Sequence, residues 1–310
     1  MAAALPVPAS VLYGHPSHMR KLSLGCPHLD RCLAGGIDHS GITEIAGEAG
    51  AGKTQLVLQL LLRVQLPHAL GGLGGGAIFL HSDAPSYMPA MSRLRSLAAT
   101  FANQHRAYGA TSDRLMDNVA VMQVDHPDDL EEILRTAVPS HLRVKQVRLI
   151  VLDSIAALYR THLDESMGRA EQHGTRAQQL FGLAARLKRL SDEFNVAVVV
   201  TNQVTDKPLD AAAAVSVAPW ERSACGLPDG GGMRVPALGT AWAHCSNTRL
   251  LLTRHAVWLG EGGLDSETRQ TQTLRQLHVA WSPRLPNRSA HFEVREEGIV
   301  GTGDGALGVR

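Results

Sequence analysis

Residues 41–66 read GITEIAGEAGAGKTQLVLQLLLRVQL, and this stretch decides the fold. It opens on a short β-branched run, Ile42-Thr43-Glu44-Ile45-Ala46, which predicts a strand. It closes on QLVLQLLLRVQL, an apolar helix that must stop before Pro67. Between them lies Gly47-x-x-x-x-Gly52-Lys53-Thr54, the spacing of a phosphate-binding loop. Glycines let successive backbone N–H groups turn inward, and the start of the next helix adds its own free amides. Lys53 supplies a cation for the β- and γ-phosphates, and the Thr54 hydroxyl is suited to Mg²⁺. A chance Gly-rich turn would lack the strand before and the helix after.

Outward from this loop, the chain alternates strands and helices over residues 21–204. Residues 77–80, 119–124, 147–152 and 196–201 are apolar and β-branched, as buried parallel strands are. Between the last two, Leu180, Leu183, Leu187, Leu190 and Phe194 recur at helical spacing. This rhythm predicts a mostly parallel, twisted α/β sheet flanked by helices. Residues 205–238 break the rhythm with Pro, Ala and Gly and are expected to be a long functional loop. From residue 239 onward the alternation predicts C-terminal antiparallel strands, with a polar hairpin loop over 260–272. Residues 1–20 read as a flexible arm and 21–310 as one core domain.

Composition narrows the classes. The net charge of +1 gives no global attraction to nucleic acid, so any such contact needs a local patch. Cys26, Cys32, Cys225 and Cys245 form no CxxC pair and read as reduced thiols. The 15 histidines show no metal-ligand spacing. No apolar run is long enough for a bilayer, and no membrane partner is expected.

Three strand ends could complete a nucleotide site. VRLIVLDS (147–154) is an apolar strand ending in Asp153, the Walker B arrangement, which would hold Mg²⁺ opposite Thr54. The alternative is a strand-end Asp that caps the next helix. IFLHSDAP (78–85) places Asp83 after a second buried strand, where a carboxylate can orient or deprotonate a water. The alternative is a helix N-cap, with Pro85 just inside the helix. VVVTNQV (198–204) ends in two amides, and Gln203 is either a γ-phosphate sensor or a polar strand terminus.

LSLGCPHLDRCLAGGIDHSGITEIAGEAGAGKTQ, LIVLDSIAALYRT, LSDEFNVAVVVTNQV and LGTAWAHCSNTRLLL together resemble the RecA-like recombinases of archaea and eukaryotes, the RadA family. The resemblance spans about residues 21–303 and lies closest to one paralogue branch. It implies a RecA-like ATPase core that binds ATP and Mg²⁺. Phosphates would lie on Gly47, Glu48, Ala49, Gly50, Ala51, Gly52, Lys53 and Thr54, and Mg²⁺ on Thr54 and Asp153. Asp83 would activate water and Gln203 would sense the γ-phosphate. It further implies contact with single-stranded DNA through two loops. The first is 160–176, with Arg160, Arg169 and Arg176; the second is 205–238, with Lys207, Arg222 and Arg234. The first loop also carries Asp164, Glu165 and Glu171, so its bland reading is a solvated surface loop. The implied setting is nuclear homologous recombination, in a heterodimer with a C-type recombinase paralogue that promotes strand-exchange filaments.

The sequence departs from the family pattern in ways that bear on activity. Asp83 stands where active recombinases usually carry Glu, one methylene longer. Ala49, Gly50 and Ala51 are small where a long residue often meets the adenine. Trp281, before SPRLP (282–286), replaces a usual acidic residue. The core starts near Lys21, without the family's N-terminal helical DNA-binding domain. These departures favour an ATP-binding mediator with slow DNA-dependent hydrolysis at most. They disfavour a self-polymerising recombinase; a P-loop scaffold with structural nucleotide is the third reading.

Overall fold

The computed structural model describes residues 20–161, 169–208, 232–259 and 270–302. The expected arm before residue 20 and most of the long loop after 208 lie outside the described residues. Thirteen strands are described: β1 Lys21–Leu22, β2 Ile37–Asp38, β3 Ile42–Gly47, β4 Gly76–His81, β5 Val119–Gln123, β6 Val147–Asp153, β7 Ala197–Asn202, β8 Val204–Pro208, β9 Gly232–Pro236, β10 Thr248–Leu259, β11 Gln270–Trp281, β12 Ser289–Arg295 and β13 Gly298–Thr302.

Nine of them form one sheet in the order β13-β12-β11-β10-β3-β7-β6-β4-β5. From β10 to β5 every neighbour is parallel; from β10 to β13 every neighbour is antiparallel. All six residues of β3 and of β7 are buried, as strands covered on both faces must be. One face packs the helix Lys53–Arg63 and the helix Ala84–Gln104 through Leu56, Leu60, Leu94 and Phe101 against Phe79, Leu250 and Phe292. The other face packs Leu180, Leu183 and Leu187 of the helix Arg169–Phe194, with Trp242, against Ile150, Leu152 and Val198.

The strand order builds the site. The chain leaves β3 and returns as β4 beyond β6 and β7, so the carboxyl ends of β3, β7, β6 and β4 form one continuous rim. Ligands of open α/β sheets bind at such a rim. Register aligns it closely: Ala46 pairs with Asn202, and His81 pairs with Asp153.

Three expectations change. Residues 205–238 are not one loop, because β8 and β9 pair as an antiparallel stem from Val204↔Pro236 to Pro208↔Gly232. Pro208 and Gly232 end the described stem and Pro236 lies at its near end, while Val204, Thr205 and Val235 suit strand pairing. The segment 160–176 also shrinks: the helix Ile155–Thr161 takes in Arg160 and Thr161, and the helix Arg169–Phe194 includes Arg169 and Arg176. No proline interrupts residues 169–194, so the amphipathic helix read from Leu180 onward runs back by more than two turns. The hairpin loop expected over 260–272 gives up its last residues to β11, which begins at Gln270.

Candidate nucleotide-binding site

The P-loop turns from β3 into the helix Lys53–Arg63. The turn needs left-handed backbone at Gly50 (φ +75°) and Gly52 (φ +106°), conformations only glycine takes readily. Lys53 Nζ donates to the carbonyls of Gly47 at 2.8 Å and Glu48 at 2.9 Å, so the ammonium lies across the loop. Burial pushes the Lys53 pKa below its usual range, and the nearby Asp153 and Glu48 carboxylates pull it partly back. A dense anion at this position would favour the charged lysine further.

Asp153 ends β6 as a buried carboxylate. Thr54 Oγ1 donates to its Oδ2 at 2.8 Å, and the Thr201 hydroxyl donates to its Oδ1. At the start of the next helix the Ser154 hydroxyl accepts from Ala157 N–H. Thr54 and Asp153 thus bring one hydroxyl and one carboxylate oxygen together beside the loop, an all-oxygen set suited to Mg²⁺. Thr201 was missed in the sequence; its signal is a hydroxyl at the carboxyl end of an otherwise aliphatic strand.

Asp83 lies at the N-cap of the helix Ala84–Gln104, as the capping alternative foresees, yet its side chain makes no cap hydrogen bond. Its carboxylate is exposed. Backbone bonds hold the turn: Asp83 O accepts from Ser86 N–H and meets His81 Nε2 at 2.9 Å. The Ser82 hydroxyl donates to Ser154 O at 2.6 Å and accepts from Ser154 N–H at 2.8 Å, which stitches the ends of β4 and β6 together.

Gln203 follows β7, and its Oε1 accepts from Arg160 Nη1 at 2.6 Å. The γ-phosphate sensor candidate and the first DNA candidate are therefore joined directly. Arg234, on β9, does not stand apart as a free cation: its Nη1 pairs with Glu48 Oε2 of the P-loop at 3.0 Å, and its Nε lies 3.7 Å from Asp206. The β8–β9 pairing sets Arg234 opposite Asp206 and turns the guanidinium toward the loop. Arg176 is half-buried on its helix. Arg169 lies in the first turn of that helix, Lys207 lies in β8, and Arg222 lies outside the described residues.

Beneath the rim, Glu44 of β3 is fully buried. Its oxygens accept from Arg249 Nε at 2.7 Å and Asn202 Nδ2 at 2.8 Å, and Asn202 also donates to Ala237 O. The sequence reading took Glu44 for an ordinary strand residue; a carboxylate inside a buried strand was the overlooked signal.

A cavity of about 700 Å³ opens from the loop, bordered by Lys53, Thr54, Arg93, Arg275, Arg295 and Glu296. Its size matches a small-molecule site and exceeds what phosphates alone require. A glycine-dependent turn, a half-buried lysine, a hydroxyl–carboxylate pair and this cavity define the class: a RecA-like P-loop nucleotide-binding core.

The chain belongs to the Rad51 family, whose profile matches residues 16–302. It is 35% identical over 303 residues to the "DNA repair protein XRCC3 homolog" of Arabidopsis thaliana, covering 94% of this chain and 96% of that protein. It is 36% identical over 292 residues to "DNA repair protein XRCC3" of Bos taurus, covering 92% and 76%. It is 29% identical over 285 residues to the human "DNA repair protein RAD51 homolog 2", covering 90% and 68%. No helix among the described residues is long and apolar enough to cross a membrane.

Proposed function

We propose that this chain is an ATP-binding recombinase paralogue of homologous-recombination repair. It acts in the nucleus as a DNA-binding mediator of strand-exchange filaments, and hydrolyses ATP slowly at most. The carrying observation is the Thr54–Asp153 pair, 2.8 Å apart beside the P-loop. The DNA repair names of its relatives support the process. The heterodimer with a C-type recombinase paralogue rests on the motif resemblance.

In this reading residues 47–54 bind the phosphates through backbone amides and Lys53. Thr54 and Asp153 hold Mg²⁺, which supplies charge neutralisation for the phosphate oxygens. Asp83 holds the attacking water and accepts its proton, but from a side chain one methylene shorter than Glu. Gln203 reads the γ-phosphate and Arg160 carries that state to single-stranded DNA, because one guanidinium serves both. Arg169, Arg176, Lys207, Arg222 and Arg234 add sequence-independent cations. Arg234 exchanges Glu48 for a DNA phosphate, so its contribution depends on the P-loop. Binding should weaken steeply with salt.

The test is ATP turnover with and without single-stranded DNA for wild type, Asp83→Glu and Lys53→Ala, each beside a direct nucleotide-binding measurement. Wild type should bind ATP and barely turn it over, Asp83→Glu should be faster, and Lys53→Ala should not bind. Brisk DNA-stimulated turnover by wild type would overturn the mediator reading in favour of a motor.

A further inference from the structure

Five arginines lie around the P-loop, and four are committed, Arg234 to Glu48 at 3.0 Å. Arg93 donates from Nε to Gln55 and from Nη1 and Nη2 to the carbonyls of Glu296 and Arg295. Arg295 pairs with Glu293 at 2.9 Å. Arg254 lies 3.9 Å from Glu48, and its backbone N–H donates to the same carboxylate. Arg275 differs. Among the described residues its side chain makes one hydrogen bond, from Nε to Gly50 O at 3.2 Å, and has no carboxylate partner.

Its place in the sheet sharpens the contrast. Arg275 on β11 sits directly opposite Arg254 on β10. Like charges in that register repel. Glu48, shared with Arg234, lies 3.9 Å from Arg254, and among the described residues no carboxylate pairs with Arg275. Phe292 of β12 is the other cross-strand neighbour of Arg275.

The loop gives this guanidinium room. Gly50 carries no side chain and its φ of +75° disfavours one. Ala49 and Ala51 are short as well. Arg275, two strands from β3, borders the same cavity as Lys53 and Thr54. A planar guanidinium with open faces and spare donors suits a flat, electron-rich ring.

We propose that Arg275 is a base-binding residue for a purine nucleotide, its guanidinium lying against the ring while residues 47–54 hold the phosphates. This rests on the nucleotide-binding reading above and assigns the nucleoside end of the same site.

The test is calorimetric titration of the full chain with magnesium ATP and, separately, with magnesium tripolyphosphate, which keeps the phosphates and lacks the base. Arg275→Gln should weaken ATP on the order of tenfold and leave tripolyphosphate unchanged. Arg275→Lys keeps the charge and loses the planar face, so it should follow Arg275→Gln, and it serves where that variant folds poorly. Unchanged ATP affinity in both variants would overturn the proposal. So would equal losses for both ligands, which would make Arg275 a phosphate cation. Wild type binding neither ligand would instead sink the P-loop reading, and this inference with it.

Discussion

Two neighbouring strand ends carry a carboxylate each, and they are held in opposite ways. Asp153, at the end of β6, is buried and accepts from hydroxyls of two other elements. Asp83, just past the end of β4, is exposed, and its side chain caps nothing. The strands are adjacent and in register, His81 against Asp153, so the backbone does not set them apart. The partners do. A carboxylate fixed on two sides is pre-organised and cannot swing; one fixed on neither side is free to meet water. The first suits a metal and the second suits proton transfer, and the same division explains how changes at each should read out.

The largest effect is expected at the free carboxylate. Asp83→Glu should raise DNA-stimulated turnover, up to on the order of 10²-fold, given the usual yield of a well-placed general base. Its ATP affinity should stay at the wild-type value; phosphate release and titration together check this. An affinity change would mean that Asp83 belongs to the binding frame, and the contrast would collapse. At the clamped end, Asp153→Ala should weaken magnesium ATP by about 10- to 100-fold, the range for losing a charged hydrogen-bonding group. It should also lower stability by about 1–3 kcal/mol, since the buried Thr201 hydroxyl loses its acceptor. Thermal melting without nucleotide separates the two effects. Arg160→Ala should reduce the ATP-dependent gain in single-stranded DNA affinity by about fivefold, the lower end of common coupling energies. Anisotropy with and without ATP measures it, and an undiminished gain would uncouple Gln203 from DNA. The smallest change is Thr201→Val, a stability loss of about 1 kcal/mol, read from the shift of the urea midpoint, with little effect on turnover.

The fold was legible because parallel strands announce themselves: both faces must be apolar, so β6 and β7 read as apolar runs over 149–152 and 197–200, and β3 was read from its β-branched residues beside the P-loop. The P-loop was legible because its glycines are demanded by backbone geometry. What stayed hidden depends on contacts between distant residues. Nothing local marks Arg234 as a partner of Glu48, 186 residues away, or Glu44 as the acceptor for Arg249. Arg275 carried no motif at all; only strand register places it beside Gly50. The helix over 169–176 was missed for another reason: its residues are polar on every side, and periodicity cannot register a turn without an apolar stripe.

Gly47 shows how closely binding and folding are tied in this loop. A Cβ there would come within 2.5 Å of the Leu252 carbonyl oxygen, so any side chain must push β10 away from β3. Overpacking of this kind costs about 1–3 kcal/mol, and losses of that size change cellular abundance several-fold. Alleles at two positions of one motif should therefore behave differently in a cell. Gly47→Ala should give a scarce, temperature-sensitive product, rescued by cool growth; Lys53→Ala should give a plentiful, inert one that no growth temperature restores.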